Sequence, residues 1–370
     1  IPIIEEIDFE NHSIKARKHE ITNSRLEIIE PFIQSLYDKH SDEYKRIILN
    51  GHDLKFIGEF ESYLKIKGHY VRRDKWGWGE PLDIERSRSL LNWAEVVFSE
   101  WGLANSVWYS NNISPEQKHV VRIHLQEVNE RARVFPVNVE TNGVDKFIFV
   151  AEHVREEAIQ LFNWDLNSTI VIPNYVDVNR LNQKKFPTAS KTLGIIGIVP
   201  QRKRLDRALN LMRGLVQADP SWKLIIKGKD PRNIEFMKAP NRAKEMEYYS
   251  SQFQRIENEP LLKSSVSWDE FSISLSSWYR KIGYVLSPSD FESFHYSIAD
   301  GVASGAVPII WPWDGAKEIY TDDWVIENTE DAMTTILSTD FGSKDQTNRE
   351  LIERKYGLKA IFSKLENEMW

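Results

Sequence analysis

The stretch that decides the fold is residues 287–310, SPSDFESFHYSIADGVASGAVPII. A polar loop follows Ser287, and an apolar segment rich in small residues begins near 295–297 and ends at Gly305. This pattern predicts a strand ending at Ser287, then a helix, then a second strand over Val307–Ile310. A helix that begins beyond the carboxyl end of a strand presents free N–H groups and a positive dipole end, which suit a diphosphate.

Two acidic residues flank the start of this predicted helix. Glu292 lies just before it and Asp300 lies a turn or so inside. One carboxylate could accept hydrogen bonds from the hydroxyls of a hexose and the other from those of a ribose. The alternative is that both acids only complement the helix dipole. The pattern alone leaves the two interpretations open.

Three consecutive cations form the second signal, in residues 197–206, GIVPQRKRLD. Arg202, Lys203 and Arg204 come at the start of a predicted helix, where the dipole disfavours positive charge. An anion among them would relieve that repulsion, and phosphate oxygens suit both side-chain types. A solvated basic patch is the alternative, but the predicted phosphate-binding helix in the same domain favours the phosphate.

Outward from these segments, short apolar runs alternate with helical patterns, which predicts parallel sheets covered by helices. The polar segment 182–190 has no buried pattern and is interpreted as an interdomain linker. We therefore predict an N-terminal Rossmann-like domain over 45–185 and a C-terminal one over 186–345, facing a central cleft. Residues 1–44 are interpreted as a linker or accessory helix, and 346–370 as a helical tail that packs back on the N-terminal domain. The helical periodicity in the first of these segments involves Leu26, Ile29, Ile33, Leu36 and Tyr37.

Composition excludes several classes of function. The 370 residues carry a formal net charge of −7, which argues against nucleic acid as a partner. The chain has no cysteine, so disulfides, thiol catalysis and zinc–cysteine sites are excluded. The sequence shows no apolar run of the roughly 20 residues that span a bilayer and no signal-peptide pattern, so we expect a cytoplasmic location, with membrane-surface or complex association left open. No metal-binding, Walker or dinucleotide motif is present, so neither a metal nor a cofactor is expected.

Together, the two signals resemble the nucleotide-sugar-binding domain of family 4 retaining glycosyltransferases, which have the GT-B fold. These enzymes carry an acid, seven further residues and a second acid, then a glycine and a Pro-Val-Ile-like strand. Glu292 and Asp300 match the two acids, although the second is usually glutamate. Ile172-Pro173-Asn174 matches the family's interdomain motif, with Tyr175 in place of its glycine. The resemblance covers residues 45 to about 330.

The resemblance implies roles for particular residues. Glu292 would contact the donor sugar, and Asp300 the ribose. Arg202 and Lys203 would neutralise the departing diphosphate. His124 would approach the donor sugar, and Gly51 would allow the backbone to come close to the phosphates. The start of the helix would supply backbone donors at Phe294, His295 and Tyr296.

The resemblance implies a retaining, metal-independent transfer of a sugar from a nucleotide-diphosphate donor, of the kind used in polysaccharide biosynthesis. The acceptor is a glycan, a polymer or a small molecule. His124 could instead be a strand-end histidine bonded to backbone. Ile198 stands where the family often has an arginine, and Arg204 or Lys229 would compensate. Such departures keep a rival open: a non-catalytic GT-B subunit that binds a transferase or a glycan.

Overall fold

Two parallel sheets organise the described part of the chain. A computed structural model describes residues 4–8, 13–16, 44–269, 274–343 and 345–370. One unit contains the described residues up to Ile172 together with Phe362–Trp370, and the other contains Pro173–Ile361. The predicted boundary at 185/186 therefore falls inside the second unit.

The first unit is built on a six-stranded sheet in the order β4-β3-β5-β6-β7-β8, with all neighbours parallel. Its strands are β3 (Arg46–Gly51), β4 (Tyr70–Lys75), β5 (Val96–Glu100), β6 (Lys118–Ile123), β7 (Lys146–Phe149) and β8 (Thr169–Val171). Its helices are α1 (Gly58–Ile66), α2 (Ile84–Trp93), α3 (Ala104–Asn112), α4 (Leu125–Val128) and α5 (Glu152–Phe162). The apolar residues of β3, β5, β6 and β7 are buried because helices cover the sheet.

The second unit is built on a five-stranded parallel sheet in the order β11-β10-β9-β12-β13, which matches the first five strands of the doubly wound order 3-2-1-4-5-6. Its strands are β9 (Thr192–Ile196), β10 (Lys223–Lys227), β11 (Val266–Asp269), β12 (Tyr284–Ser287) and β13 (Val307–Ile310). Its helices begin with α6 (Val178–Leu181), α7 (Leu205–Ala218), α8 (Ala243–Asn258), α9 (Pro260–Lys263) and α10 (Leu275–Tyr279). They continue with α11 (Tyr296–Ala303), α12 (Ala316–Ile319), α13 (Thr329–Ser338) and α14 (Asp345–Tyr356).

Residues 182–190, interpreted from the sequence as a linker, are bonded into the second unit. The Lys185 ammonium donates hydrogen bonds to the Tyr279 carbonyl at 2.9 Å, the Ile282 carbonyl at 2.6 Å and the Ser304 hydroxyl at 2.9 Å. Burial lowers the pKa of Lys185 to about 7. A single long cation that satisfies backbone carbonyls leaves no periodic pattern in the sequence, so the sequence did not indicate that this segment is anchored to the second unit.

The two ends of the chain complete the description. Ile4–Asp8 (β1) pairs antiparallel with Ser13–Ala16 (β2), whereas the helical periodicity noted in residues 26–37 lies outside the described residues. After Gly357, α15 (Leu358–Asn367) leads into the first unit. There Glu366 accepts hydrogen bonds from Lys67 Nζ at 2.6 Å and from the Tyr63 hydroxyl at 2.7 Å. Within the described ranges, every helix is too short or too polar to cross a membrane.

Candidate functional site

The carboxyl edge of the second sheet brings together the residues that the sequence singled out in that unit. Arg202 and Lys203 lie on a short 3-10 helix, Gln201–Lys203, between β9 and α7. Glu292 lies in the loop between β12 and α11. The strands β9 and β12 are neighbours, so the two loops leave the sheet side by side. The Asp290 N–H donates to the Arg202 carbonyl at 2.8 Å and ties the loops together.

Three donors converge on one oxygen of Glu292. Lys203 Nζ donates a short hydrogen bond to Oε1. Arg202 Nη1 lies 3.0 Å from the same oxygen, and the Ser289 hydroxyl donates to it at 2.8 Å. Two cations thus face one carboxylate, and the cluster keeps an excess of positive charge.

The ionisation of this cluster follows from burial and charge together. Burial acts to raise the pKa of Glu292, but His295, which is protonated in the acid range where Glu292 titrates, together with Lys203 and Arg202 outweighs burial and holds the pKa at about 2. Burial and the nearby cations lower the pKa of His295 to about 3, so its ring is neutral at pH 7. Lys203 and Arg202 are therefore the cations that keep Glu292 charged at neutral pH.

At the start of α11 a tyrosine hydroxyl satisfies two backbone carbonyls, which does not bear on the N–H groups of residues 294–296, so their role as donors to a ligand stays a prediction. His295 precedes the helix in the left-handed region, with φ 54°. The Tyr320 hydroxyl donates to the Phe294 carbonyl at 2.6 Å and to the His295 carbonyl at 3.1 Å. The Phe294 ring is buried and packs edge-on against Tyr296 and Tyr356. The Phe294 side chain therefore belongs to the core, whereas the His295 ring lies 4.0 Å from Glu292.

Asp300 lies within α11, half-buried. Burial, followed by the charge of Asp300, raises the pKa of the Tyr279 hydroxyl well above its usual value. Burial, Tyr356 and Asp300 do the same for Tyr320, and Glu292 also contributes there. The charges of both predicted acids, Glu292 and Asp300, thus contribute to the raised pKa of the Tyr320 hydroxyl.

The structure also shows what the neighbouring cations do. Ile198 is buried, and its carbonyl accepts a hydrogen bond from the Tyr249 hydroxyl at 2.7 Å. Arg204 pairs with Asp206 Oδ2 at 2.7 Å and with Asp290 Oδ1 at 2.9 Å. Arg204 therefore holds the loop together, and Lys229 is exposed.

Gly197 has φ 68°, and a Cβ there would meet open space, so this part of the edge is accessible.

His124 lies at the corresponding edge of the first unit, directly after β6. Its Nε2 lies 2.8 Å from Glu100 Oε1, and Arg122 Nη1 donates to the same carboxylate at 2.9 and 3.2 Å. The His124 ring stacks on Trp101 with 4.0 Å between centroids. His124 is thus a strand-end histidine bonded through Nε2 to a buried carboxylate, and its approach to a donor sugar stays a prediction.

Packing within the first unit explains why residue 51 is a glycine. A Cβ at this position would lie 2.3 Å from the Glu100 carbonyl oxygen. The close approach that requires glycine is thus between β3 and β5, and an approach to phosphates remains a prediction. Trp76, which follows β4 in the same unit, is buried, with its indole N–H bonded to Asp74 Oδ2 at 2.7 Å.

Sequence reasoning missed Ser289, Glu100 and Arg122. Ser289 was within the quoted loop, three residues before Glu292, and hydroxyl-to-carboxylate spacing could have indicated it. Glu100 and Arg122 are charges inside apolar strand patterns, which is itself a signal because unpaired buried charges are costly. Among the residues that the structure describes, there is no cluster of three or more side chains that could hold a metal ion.

Comparison by structure places this arrangement among known folds, whereas comparison by sequence finds no matching protein family and no matching curated protein. HepE of Anabaena, in complex with UDP and glucose, superposes with a TM-score of 0.66 at 14% identity, covering 87% of this chain and 98% of HepE. Sucrose-phosphate synthase from Thermosynechococcus elongatus gives 0.64 at 14% identity, covering 87% and 97%. TarM gives 0.58 at 16% identity over 74% of this chain, which spans only 54% of TarM.

These proteins share one architecture. They are GT-B glycosyltransferases, with two Rossmann-like domains, and the two parallel sheets found here correspond to it. The chain has the GT-B fold, as its sequence predicted.

Proposed function

We propose that the chain is a glycosyltransferase that transfers a sugar from a nucleotide-diphosphate donor, with retention of anomeric configuration, onto a glycan, polymer or other hydroxyl acceptor. The observation that carries the proposal is the buried Glu292 carboxylate faced by Arg202 and Lys203 at the carboxyl edge of the second sheet. In open parallel sheets, this edge is where ligands bind.

The charges of this cluster suit each part of such a donor. The cations that contact Glu292 exceed it in charge, so the cluster can take up an anion such as a diphosphate. Glu292 is ionised at neutral pH because its pKa is held at about 2, so it can accept hydrogen bonds from sugar hydroxyls. The open space at Gly197 leaves room for a ligand beside the cations.

The reaction follows from these parts. The bond between the anomeric carbon and the diphosphate oxygen breaks, and its electron pair leaves with the diphosphate. Arg202 and Lys203 stabilise the charge that develops there, a contribution that a metal ion makes in other transferases. The acceptor oxygen forms the new bond on the same face of the sugar, and its proton passes to the leaving phosphate oxygen. The neighbours support this donor class, since HepE was crystallised with UDP-glucose.

The acceptor class is proposed from the ligands of a structural neighbour. A TarM variant was crystallised with fondaparinux, α-GlcNAc-glycerol and UDP. A glycan or polymer acceptor is accordingly the first class to test, with release of nucleoside diphosphate in its presence as the measurement.

Calorimetric titration of the wild-type chain with UDP-, GDP-, ADP- and CMP-sugars tests the donor site, with and without EDTA. We expect one nucleotide class to bind, EDTA to have no effect, and Lys203→Ala to weaken binding roughly 10- to 100-fold, as the loss of a charge-assisted contact does. Lys223→Ala is the matched control. Lys223 is exposed at the amino end of β10, on the opposite edge of the same sheet, and its substitution should leave the affinity unchanged.

The outcomes separate the proposal from its rival. A donor that binds and is turned over supports the transferase. A nucleotide that binds without turnover on any acceptor favours the non-catalytic subunit. Equal affinities for Lys203→Ala and Lys223→Ala would place the donor somewhere other than this cluster.

A further inference from the structure

One buried ring nitrogen in the candidate donor site has no role in the proposed function. The His295 side chain is 5% exposed, and its Nε2 has no hydrogen-bond partner among the described residues. Its Nδ1 lies 2.5 Å from the Ser287 hydroxyl oxygen. A buried polar atom without a partner costs about 1–3 kcal/mol, so a native site that keeps one requires an explanation.

The hydrogen bonds around Ser287 determine which ring nitrogen carries the proton. The Trp313 indole N–H, which can only donate, lies 3.3 Å from the Ser287 oxygen. The Trp313 contact does not use the hydroxyl hydrogen of the buried Ser287, so that hydrogen is available to His295 Nδ1, the acceptor beside it. A neutral ring that accepts at Nδ1 carries its proton on Nε2. The atom without a partner is thus an N–H group.

The nearest anion to this N–H group is Glu292, whose Oε1 lies 4.0 Å from His295 Nε2. That oxygen already receives Lys203, Arg202 and Ser289. A carboxylate oxygen has two lone pairs, so one of these donors can leave without leaving the oxygen unsatisfied. A movement of roughly 1 Å would bring the imidazole N–H within hydrogen-bond distance.

We propose that His295 is a positioning residue for Glu292, which its Nε2–H holds in place when Lys203 turns from the carboxylate to the donor diphosphate. The inference rests on the proposed function. It assigns the relay Trp313–Ser287–His295 to one task, which is to keep a neutral N–H pointing at the charged carboxylate. Lys203 then moves without releasing the group that contacts the sugar.

The charges that face the ring are consistent with a neutral donor. Lys203 and Arg202 come from the β9–α7 loop, and Glu292 comes from the loop before α11. Burial first, and then Lys203, lower the pKa of His295 to about 3, while Glu292 opposes them. The ring therefore stays neutral, and its N–H stays available, throughout the pH range of an assay.

Nitrogen-15 NMR of the histidine-labelled full chain tests the tautomer without any ligand. The His295 signals are those missing from His295→Gln. We expect a proton on Nε2 and no titration between about pH 5.5 and 8. A proton on Nδ1, or a midpoint near the ordinary histidine value, would overturn the inference.

Lys203→Met imitates the departure of Lys203, again without a ligand. In this variant the Nε2 proton of His295 should shift downfield and exchange more slowly with water, because it now bonds to Glu292. An unchanged proton signal in a folded Lys203→Met protein contradicts the exchange of partners, whatever the donor turns out to be.

A pair of variants then tests the consequence for binding, with UDP-glucose and UDP as probes. His295→Gln keeps an amide N–H near the Nε2 position, whereas the shorter side chain of His295→Asn does not reach it. Asparagine tolerates the left-handed backbone of this position, so strain is not the difference. We expect His295→Asn to weaken UDP-glucose roughly tenfold and UDP less than about twofold, and His295→Gln to restore most of the loss.

The outcomes for the two proposals are distinguishable. Equal weakening of UDP-glucose by His295→Gln and His295→Asn would sink the positioning role while leaving the donor site intact. A wild-type chain that binds neither probe removes uridine donors from the proposed function, and the two NMR measurements still decide the role of His295.

Discussion

His124 and Glu100 form a buried hydrogen bond, 2.8 Å between Nε2 and Oε1, at the ends of the adjacent strands β6 and β5. Burial lowers the pKa of His124, and the attraction of Glu100 opposes this effect. A neutral His124 therefore carries its proton on Nε2, where Glu100 accepts it, and keeps a lone pair on Nδ1. A role for this ring at a sugar would then be that of a hydrogen-bond acceptor from a hydroxyl.

Glu100→Ala should destabilise the chain strongly. The substitution leaves the fully buried Arg122 guanidinium without its carboxylate, and a single buried charge that loses its partner costs about 3–5 kcal/mol. The measurement is the midpoint of unfolding in urea. Glu85→Ala is the matched control, because Glu85 pairs with Arg88 at the surface and its loss should cost less than about 0.5 kcal/mol. Similar midpoints for both variants would mean that Glu100 and Arg122 are not paired in solution.

Two glycines seven residues apart should respond in opposite directions to alanine. Gly51→Ala places a Cβ 2.3 Å from the Glu100 carbonyl oxygen, so β3 and β5 must separate, at a cost of about 1–3 kcal/mol. A Cβ at Gly58, the first residue of α1, meets nothing within 4 Å, and Gly58→Ala should stabilise by about 0.4–1 kcal/mol. Thermal unfolding of both variants measures the difference. A Gly51→Ala protein as stable as wild type would contradict the close approach of β3 to β5 at this position.

The sequence predicted most of the sheets because their strands are runs of apolar residues between loops. It did not indicate β4, Tyr70–Lys75, because this edge strand is largely charged. Asp74 in β4 is buried and accepts hydrogen bonds from Trp76, Ser87 and Tyr109, each at 2.7 Å. Ser87 and Tyr109 lie far from Asp74 in the chain, so no local sequence pattern predicts this network.

In the candidate site, too, the sequence predicted some features and could not predict others. Glu292, Arg202 and Lys203 could be predicted together because parallel strands bring their following loops to one edge. The protonation of His295 could not, since it depends on Ser287 and on Trp313, which lies beyond the next strand. Pairwise roles follow from motifs, whereas hydrogen-bond relays require coordinates.

The contribution of Glu292 to stability should disappear in acid. Its pKa is about 2 in the folded chain and about 4.3 when unfolded, so the folded state favours the charged form. The stabilisation is complete above the unfolded value and is lost as the pH falls towards 2, with about 2 kcal/mol lost by pH 3. Urea unfolding of wild type and Glu292→Gln between pH 6 and 3 isolates this loss, since other carboxyls titrate in both. A stability difference that does not change with pH would contradict the low pKa.

Trp76 and Trp78 follow the same strand, but their substitutions should have different effects. We expect Trp76→Ala to reduce stability and Trp78→Ala to weaken acceptor recognition. Trp76 is 2% exposed, and Trp76→Ala should cost about 3–5 kcal/mol because it leaves a cavity against Trp108 and Tyr109 and removes a donor from Asp74. Trp78 is 37% exposed, with Arg131 over its ring at 5.7 Å, so Trp78→Ala should change stability by less than about 1 kcal/mol. Exposed indole faces suit the apolar faces of sugar rings, so Trp78→Ala is the variant with which to test acceptor recognition. We expect it to raise the acceptor concentration needed for half-maximal turnover while leaving donor affinity unchanged. Unchanged acceptor saturation in this stable variant would remove Trp78 from the acceptor surface. A double variant that also lacks Trp76 could not support this conclusion, because the loss of Trp76 destabilises the protein.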